Sequence, residues 1–378
     1  MRHETPLAVQ ILTRANGAGL SRDLALTAGI LRAAGWRVTT TELSHRSRIS
    51  SRLIRVGHWL HRLLRGWLIG EPIARYDINL MLERIYPEFF DQAHCNVLMP
   101  NPEWTRNEWR PWLPAFDLVA AKTQHAVQLF EAQGCPTCWT GFAAFDRMDR
   151  NVVRQNTFLH MPGRSNNKGS AHLIQLWRRH PEWPRLTVVW RRRDVPGMLP
   201  ANVTLIGEYL SDAHARTLQN SHRFHLCPSQ TEGFGHYIAE AMSVEAVVIT
   251  TDAEPMNELI GPDHGVLVAA HAIGNQALAT LYDFDDEAME AAIERCLAMS
   301  QLECENLGKH ARQRFEQRNA AFPAQLLDAL RAVTKRQPNV AFPQSAPLGM
   351  PQATPATTAT AAARQPSPHE PQRAQHRI

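Results

Sequence analysis

Two carboxylates eight positions apart, Glu232 and Glu240, bracket the segment Gly233-Phe234-Gly235-His236-Tyr237. The preceding Arg223-Phe-His-Leu-Cys227 reads as a short buried strand, and Ile238, Ala239, Ala241 and Met242 begin an apolar helix. Strand, glycine turn and helix in that order make an anion site. The glycines let the backbone bend and approach a ligand, while the first N–H groups of the helix and its dipole point outward. With the helix opening near Gly235, Glu240 lies about one turn inside it and Glu232 in the loop before it. One carboxylate can accept from the hydroxyls of a sugar at the loop, the other from a ribose beside the helix. A diphosphate held between two polyols, as in a nucleotide sugar, suits both features. The plainer alternative is a turn whose two Glu residues only face solvent and complement the dipole. Gly-x-Gly alone would leave that alternative ahead. The spaced carboxylates together with Pro228-Ser229 and Glu240-Ala241-Met242 outweigh it.

These residues carry a family resemblance. Pro-Ser, Glu-Gly-Phe-Gly and Glu-Ala-Met, followed by Ala246-Val-Val-Ile-Thr-Thr-Asp252, Asn257-Glu258-Leu-Ile260 and Gly265-Val-Leu-Val268, resemble the donor-site signature of retaining GT-B glycosyltransferases of the family 4 type, the glycosyl transferases group 1. Upstream, Val203 to Asp212 and Leu218 match that family's strand, loop and short helix, so the likeness is strong from about Phe158 to Val268 and architectural before that. The fold it implies is α/β: two Rossmann-like doubly wound domains facing across a cleft. It further implies that Glu232 orients the donor sugar, that Glu240 holds the ribose, and that the base lies against Tyr209 and Leu210. Its Gly-Arg and Lys-Gly pattern places a basic clamp on the diphosphate at Arg164 and Lys168, although this chain sets the two only four positions apart. Backbone N–H groups of Gly235 and His236 would assist, beside Gly233, Phe234 and Tyr237. Where many members carry a His in the first domain, this chain has Asn101 and Glu103.

A chain of 378 residues holds two ordinary domains and a tail, and 44% hydrophobic with 20% charged residues is the balance of a globular protein. No run of about eighteen apolar residues is present. The start, Met1-Arg-His-Glu-Thr-Pro6, lacks the apolar core of a signal peptide, which favours a cytoplasmic setting and reduced cysteines. Cys135-Pro-Thr-Cys138 follows a helix and runs into a strand, so the pair reads as structural. We expect neither a metal nor a resident cofactor; UDP- or GDP-sugar is the expected co-substrate. A net charge of +4 does not call for nucleic acid.

The elements that must position these residues follow in chain order. Leu7–Leu12, a helix from Ser21 to Ala34 and Arg37–Leu43 form a β-α-β opening with Gly17 and Gly19 in its loop. That loop is either a simple tight turn or, by the resemblance, the acceptor-side lip of the cleft. Residues 44–69 carry Arg46, Arg48, Arg52, Arg55, Arg62 and Arg65 with Leu53, Val56, Leu60, Leu63, Leu64 and Trp67 at helical spacing. Two uses fit about evenly, a peripheral contact with the inner face of a membrane and a helix packed on the sheet with a solvated basic face; a third is a surface for an acidic or phosphorylated acceptor. Strands at Ile78–Leu82 and Cys95–Met99 follow, the second ending in Pro100-Asn-Pro-Glu-Trp104, and a polar strand end in a doubly wound sheet points into the ligand crevice. Asp117–Thr123, also polar at its end, and a helix from Gln124 to Gln133 complete an N-terminal domain, 1–145. A donor domain, 146–314, ends in one helix from Asp286 to Arg314. A closing helix, 315–335, returns to the first domain, and a Pro/Ala/Thr/Gln-rich tail, 336–378, reads as disordered. The expected function is transfer of a sugar from a nucleotide sugar to a glycan or glycolipid, in cell-surface glycan biosynthesis. The alternatives are a GT-B phosphorylase or epimerase and a non-catalytic nucleotide-sugar-binding module.

Overall fold

All six residues of Ala8–Thr13 (β1) are buried, the signature of a strand covered on both faces. It pairs in parallel with Arg37–Glu42 (β2) and Tyr76–Leu82 (β3), and the sheet continues through Ala93–Met99 (β4), Leu118–Ala121 (β5) and Thr137–Trp139 (β6). The strand order is β2-β1-β3-β4-β5-β6. The computed structural model describes residues 6–14, 19–43, 74–163, 165–191 and 198–335. Gly17, Arg164, the basic stretch 44–69 and the tail 336–378 lie outside the described residues.

A second parallel sheet follows: Gln155–Gly163 (β7), Leu186–Trp190 (β8), Val203–Ile206 (β9), His222–Cys227 (β10), Val247–Thr251 (β11) and Val266–Val268 (β12). Its order, β12-β11-β10-β7-β8-β9, is that of a dinucleotide-type doubly wound sheet, reversing direction between β7 and β10. The crevice at the carboxyl ends of those two strands is where such a sheet receives a ligand. Helices cover the sheets: Gly19–Ala33 (α1), Gln124–Glu131 (α2), Ser170–Arg179 (α3), Asp212–Ser221 (α4), His236–Ser243 (α5), Met256–Leu259 (α6), Asp286–Ala298 (α7) and Gln301–Lys335 (α8). The two α/β halves expected from the sequence are thus present.

Two expectations change. The helix expected from Asp286 to Arg314 breaks after Ala298, where Met299 is extended and Ser300 and Glu303 exchange hydrogen bonds. The chain then runs as one helix from Gln301 through Pro323 to Lys335, so the last part of the expected donor-domain helix and the closing helix are continuous. The second change is an antiparallel hairpin, Ala270–Gln276 (β13) and Ala279–Phe284 (β14), in a stretch for which the sequence had suggested no element.

One apolar cluster joins the halves. Val9, Ile78, Leu80 and Val97 of the first sheet share it with Ile238 and Met242 of α5 and with Phe315, Phe322, Leu326 and Leu330 of α8. The connecting segment lies on this seam: the side-chain amide of Asn319 accepts from the Ala144 N–H (3.1 Å) and donates to its carbonyl (2.7 Å). Phe142 and Phe322 meet there with centroids 4.7 Å apart. Phe322 is fully buried. Phe322→Ala should therefore cost about 3–5 kcal/mol, the usual toll for emptying a buried phenylalanine site. Urea denaturation checks this; an unchanged midpoint would show that the seam contributes nothing.

Candidate active site

The loop between β10 and α5 behaves as its residue types demand. Gly235 caps α5 with φ of 96°, and α5 begins at His236, leaving the first N–H groups of the helix without intrahelical acceptors. Glu232 lies before it, buried. Lys168 reaches it from the loop ahead of α3 in a short ion pair, and Ser229 Oγ donates to the same carboxylate oxygen at 2.5 Å. Ser229 also meets the Tyr237 hydroxyl at 2.5 Å, and the Lys168 ammonium stands 4.8 Å over the Tyr237 ring. Burial pushes the Tyr237 phenol well above its ordinary range, so it stays a neutral hydroxyl. The next residue, Gly169, has φ of 63°, and a Cβ there would lie 3.0 Å from the Pro228 carbonyl oxygen. Glycine is thus required for Lys168 to come this close to the Pro228-Ser229 turn. Lys168, Ser229, Glu232 and Tyr237 form one cluster at the reversal point of the second sheet.

Glu240, buried on α5, is already engaged. Arg22 of α1 pairs with one of its oxygens, and Gln219 Nε2 donates to the other at 2.8 Å. The Arg22 guanidinium therefore occupies the carboxylate that the sequence assigns to a ribose. Tyr209 stands on the loop after the edge strand β9; it is 74% exposed, with the Arg191 guanidinium 5.1 Å from its ring centre. Leu210 is beside it and half-buried. Among the described residues, no hydrogen bond or ring contact joins these two to the Lys168 cluster.

The first domain supplies the opposite wall. Gly19 opens α1 against the donor loop, where an added Cβ would lie 3.9 Å from His236 Cδ2. Asp23, one turn on, accepts from His236 Nε2 (2.6 Å) and from Lys122 Nζ (2.5 Å). Burial alone would raise the Asp23 carboxyl, but Lys122 and His236 outweigh it and hold it at about 2. Lys122 also donates to Asn101 Oδ1 (2.9 Å), and Asn101 Nδ2 donates to Glu83 (3.0 Å). Asn101 rests directly on Gly233, where a Cβ would lie 2.5 Å from Asn101 Cγ. The loop therefore needs its first glycine for close approach between the domains. His236 Nδ1 is buried without a partner.

Glu103, on the short 3-10 turn Pro102–Trp104 after β4, is buried with Oε2 unpartnered. Burial raises its carboxyl to about 7; Glu232 adds to the rise, while its own backbone N–H and Lys168 oppose it. The tip of the β13–β14 hairpin is bonded to this turn: Gln276 Nε2 donates to the Glu103 carbonyl at 3.0 Å, and the Leu278 N–H to the Pro102 carbonyl at 3.2 Å. The hairpin is also held to the second domain, since Asn167 Nδ2 donates to Gln276 Oε1 (2.7 Å) and the Tyr282 N–H to the Gln230 carbonyl (2.9 Å).

Sequence reading missed Arg22, Asp23, Glu83, Ser229 and Lys122 as site residues, although the polar end at Lys122-Thr123 had marked that strand as facing the crevice. Among the described residues no group of three or more His, Cys, Asp or Glu side chains could hold a metal ion, and no helix is long and apolar enough to cross a membrane. Cys135 and Cys138 form no disulfide, and burial lifts the Cys135 thiol to about 11.

Residues 198–314 match the family model of the glycosyl transferases group 1. No curated protein sequence matches the chain. Solved structures with the same fold include a glycosyltransferase from Rickettsia africae (TM-score 0.66, 14% identity, covering 88% of this chain and 100% of that one). Sucrose-phosphate synthase from Thermosynechococcus elongatus is similar at TM-score 0.61 and 14% identity, covering 86% of this chain and 99% of its own. HepE from Anabaena, solved with UDP-glucose, aligns at TM-score 0.58 and 14% identity over 85% of this chain and 100% of that one. The fold is GT-B: two Rossmann-like parallel-sheet domains.

Because its folded value is raised, Glu103 makes the fold less stable as pH rises from the ordinary Glu range toward 7, where the unfolded chain has already shed the proton that the fold retains. Glu103→Gln, which keeps the shape and removes the charge, should raise the melting midpoint at pH 8 and change it little at pH 4.5. Equal effects at both pH values would refute the buried-acid account.

Proposed function

We propose that this protein transfers a sugar from a nucleoside diphosphate donor to a hydroxyl of a glycan or glycolipid, as a retaining transferase of the family 4 type. The observation that carries the reading is the Lys168–Ser229–Glu232–Tyr237 cluster beside the N-terminus of α5, at the reversal point of the second sheet. As the bond from the anomeric carbon to the diphosphate breaks, its electron pair passes to the diphosphate oxygen. Lys168 and the free N–H groups at Gly235 and His236 are suited to take up that charge without a divalent ion. Arg164 joins them on the strength of the sequence pattern alone. Glu232, freed from Lys168 as the diphosphate claims the ammonium, orients the sugar hydroxyls. Glu240 receives the ribose once Arg22 withdraws, and Tyr209 with Leu210 lines the base. The first donor to try is a UDP-sugar, because HepE of similar fold has been solved with UDP-glucose; GDP-sugars come next. Residues 44–69 would bring the enzyme to the inner face of the cytoplasmic membrane, where a lipid-linked acceptor is presented.

A thermal-shift series with UDP-, GDP-, ADP- and dTDP-sugars, with and without EDTA, tests the donor. One nucleotide class should raise the midpoint, by about 2.7 kcal/mol of added stability at a hundred times its dissociation constant, with or without chelator. Lys168→Ala should abolish the rise. Glu232→Gln should keep the fold and lose turnover, whereas a non-catalytic binding module has no turnover to lose. A protein that no nucleotide sugar stabilises would not be a sugar transferase.

A further inference from the structure

Glu240 is held by two groups of different character. Arg22 comes from the first domain on a side chain 39% exposed, so a ligand can reach it and take its place on the carboxylate. Gln219, near the end of α4, is only 3% exposed and donates its Nε2 to the other oxygen at 2.8 Å. Its amide can lie only one way round. The Arg147 guanidinium, which donates and never accepts, stands 2.9 Å from the amide, so the carbonyl oxygen faces Arg147 and the NH2 group faces Glu240. Arg147 is buried in the segment between β6 and β7 and is itself fixed. It donates to the Asp212 carboxylate at 2.8 Å and to the Asp212 carbonyl at 3.1 Å. The same residue reaches Glu240 along the backbone: its N–H donates to Ser243 Oγ (3.0 Å), which donates to the Glu240 carbonyl (2.7 Å).

We infer that Gln219, oriented by Arg147, holds the Glu240 carboxylate in place for the ribose hydroxyls, and that this pair sets a preference for ribonucleotides over deoxynucleotides; this rests on the sugar-transfer reading above. The ribose takes the oxygen that Arg22 vacates, while Gln219 stays on the other. Glu240 thus loses one partner on ligand entry and not both, and its side chain keeps its orientation through the exchange. A carboxylate with only the replaceable partner would be free to turn toward other donors, and part of the energy of its bonds to the hydroxyls would go into ordering it. An amide suits the place better than a second cation, because it orients the carboxylate without neutralising the charge that strengthens those bonds. Gln219 and Arg147 are positioning residues: both act through Glu240, and neither needs to touch the ligand.

The test titrates the full chain calorimetrically with UDP and with 2′,3′-dideoxy-UDP, which lacks both ribose hydroxyls. Wild type should bind UDP about tenfold to a hundredfold more tightly, the worth of hydrogen bonds to a charged acceptor. Gln219→Met, of similar size but without the donor, should bring that ratio to within about threefold of one by weakening UDP, and should leave dideoxy-UDP within about threefold of its wild-type affinity. Gln219→Glu keeps an acceptor for Arg147 and should collapse the ratio equally, which separates loss of the Glu240 bond from loss of the Arg147 bond. The two variants leave different groups unpaired, so if one fails to fold the other still carries the test. A variant with the wild-type ratio overturns the inference. So does one that weakens both ligands alike, the mark of a merely structural role. A wild type that binds both ligands equally also overturns it, yet leaves sugar transfer standing with Glu240 away from the ribose. If wild type binds neither, the sugar-transfer reading with a UDP donor falls first, and this inference with it.

Discussion

Asp23 is the residue on which the arrangement of the cleft turns. Its carboxylate is almost wholly buried on α1, and it survives there as an anion because Lys122 at the end of β5 and His236 at the start of α5 both bind it. Three elements from two domains are therefore fixed by one charge. Replacing such a network with apolar side chains can be neutral, but removing a single member leaves the others desolvated and unpaired. That asymmetry gives the closed cleft a defined geometry in place of a loose apolar contact. It also explains why Asn101 lies so close to Gly233: Lys122 holds the Asn101 carbonyl from the same side.

The same logic governs the second domain. Both carboxylates of the signature are already occupied by cations, Glu232 by Lys168 and Glu240 by Arg22. On the sugar-transfer reading proposed above, ligand entry would be an exchange of partners, not the filling of a bare site. A diphosphate would take Lys168 from Glu232 while the sugar's hydroxyls satisfy the carboxylate so released. A ribose would replace Arg22 on Glu240, and Arg22 belongs to the same helix turn as Asp23. Donor binding and the contacts of the first domain would then be coupled through two adjacent residues.

What the sequence made legible was local. The apolar runs of β1, β8 and β11 and the glycine turn with its helix at His236 are written in short stretches whose periodicity or turn chemistry decides them, whereas the two doubly wound sheets followed from the family resemblance. The partners across the cleft are not: Arg22 lies 218 positions from Glu240, and Asp23 lies 213 from His236. On α1 both look like ordinary helix-surface charges until the second domain covers them. The hairpin escaped for another reason. Its first strand is largely exposed and its second mostly half-buried, so they lack the buried alternation that announces a strand, and Ala277 adopts φ of 56° in the turn between them, where a glycine would have been the usual signal. The break after Ala298 was hidden because helix-forming residues continue on both sides of it, and only the Ser300–Glu303 exchange marks a new start.

The crowding of carboxyl groups has a chemical consequence. Asp23, Glu83, Glu103, Glu232 and Glu240 outnumber Arg22, Lys122 and Lys168, and a diphosphate would add further negative charge. Glu103 is the member for which burial has already brought proton binding close to neutral pH, so it feels any added charge as a rise in proton affinity. Lys168 is one of the groups that hold that affinity down, so an anion that drew Lys168 away would raise it further.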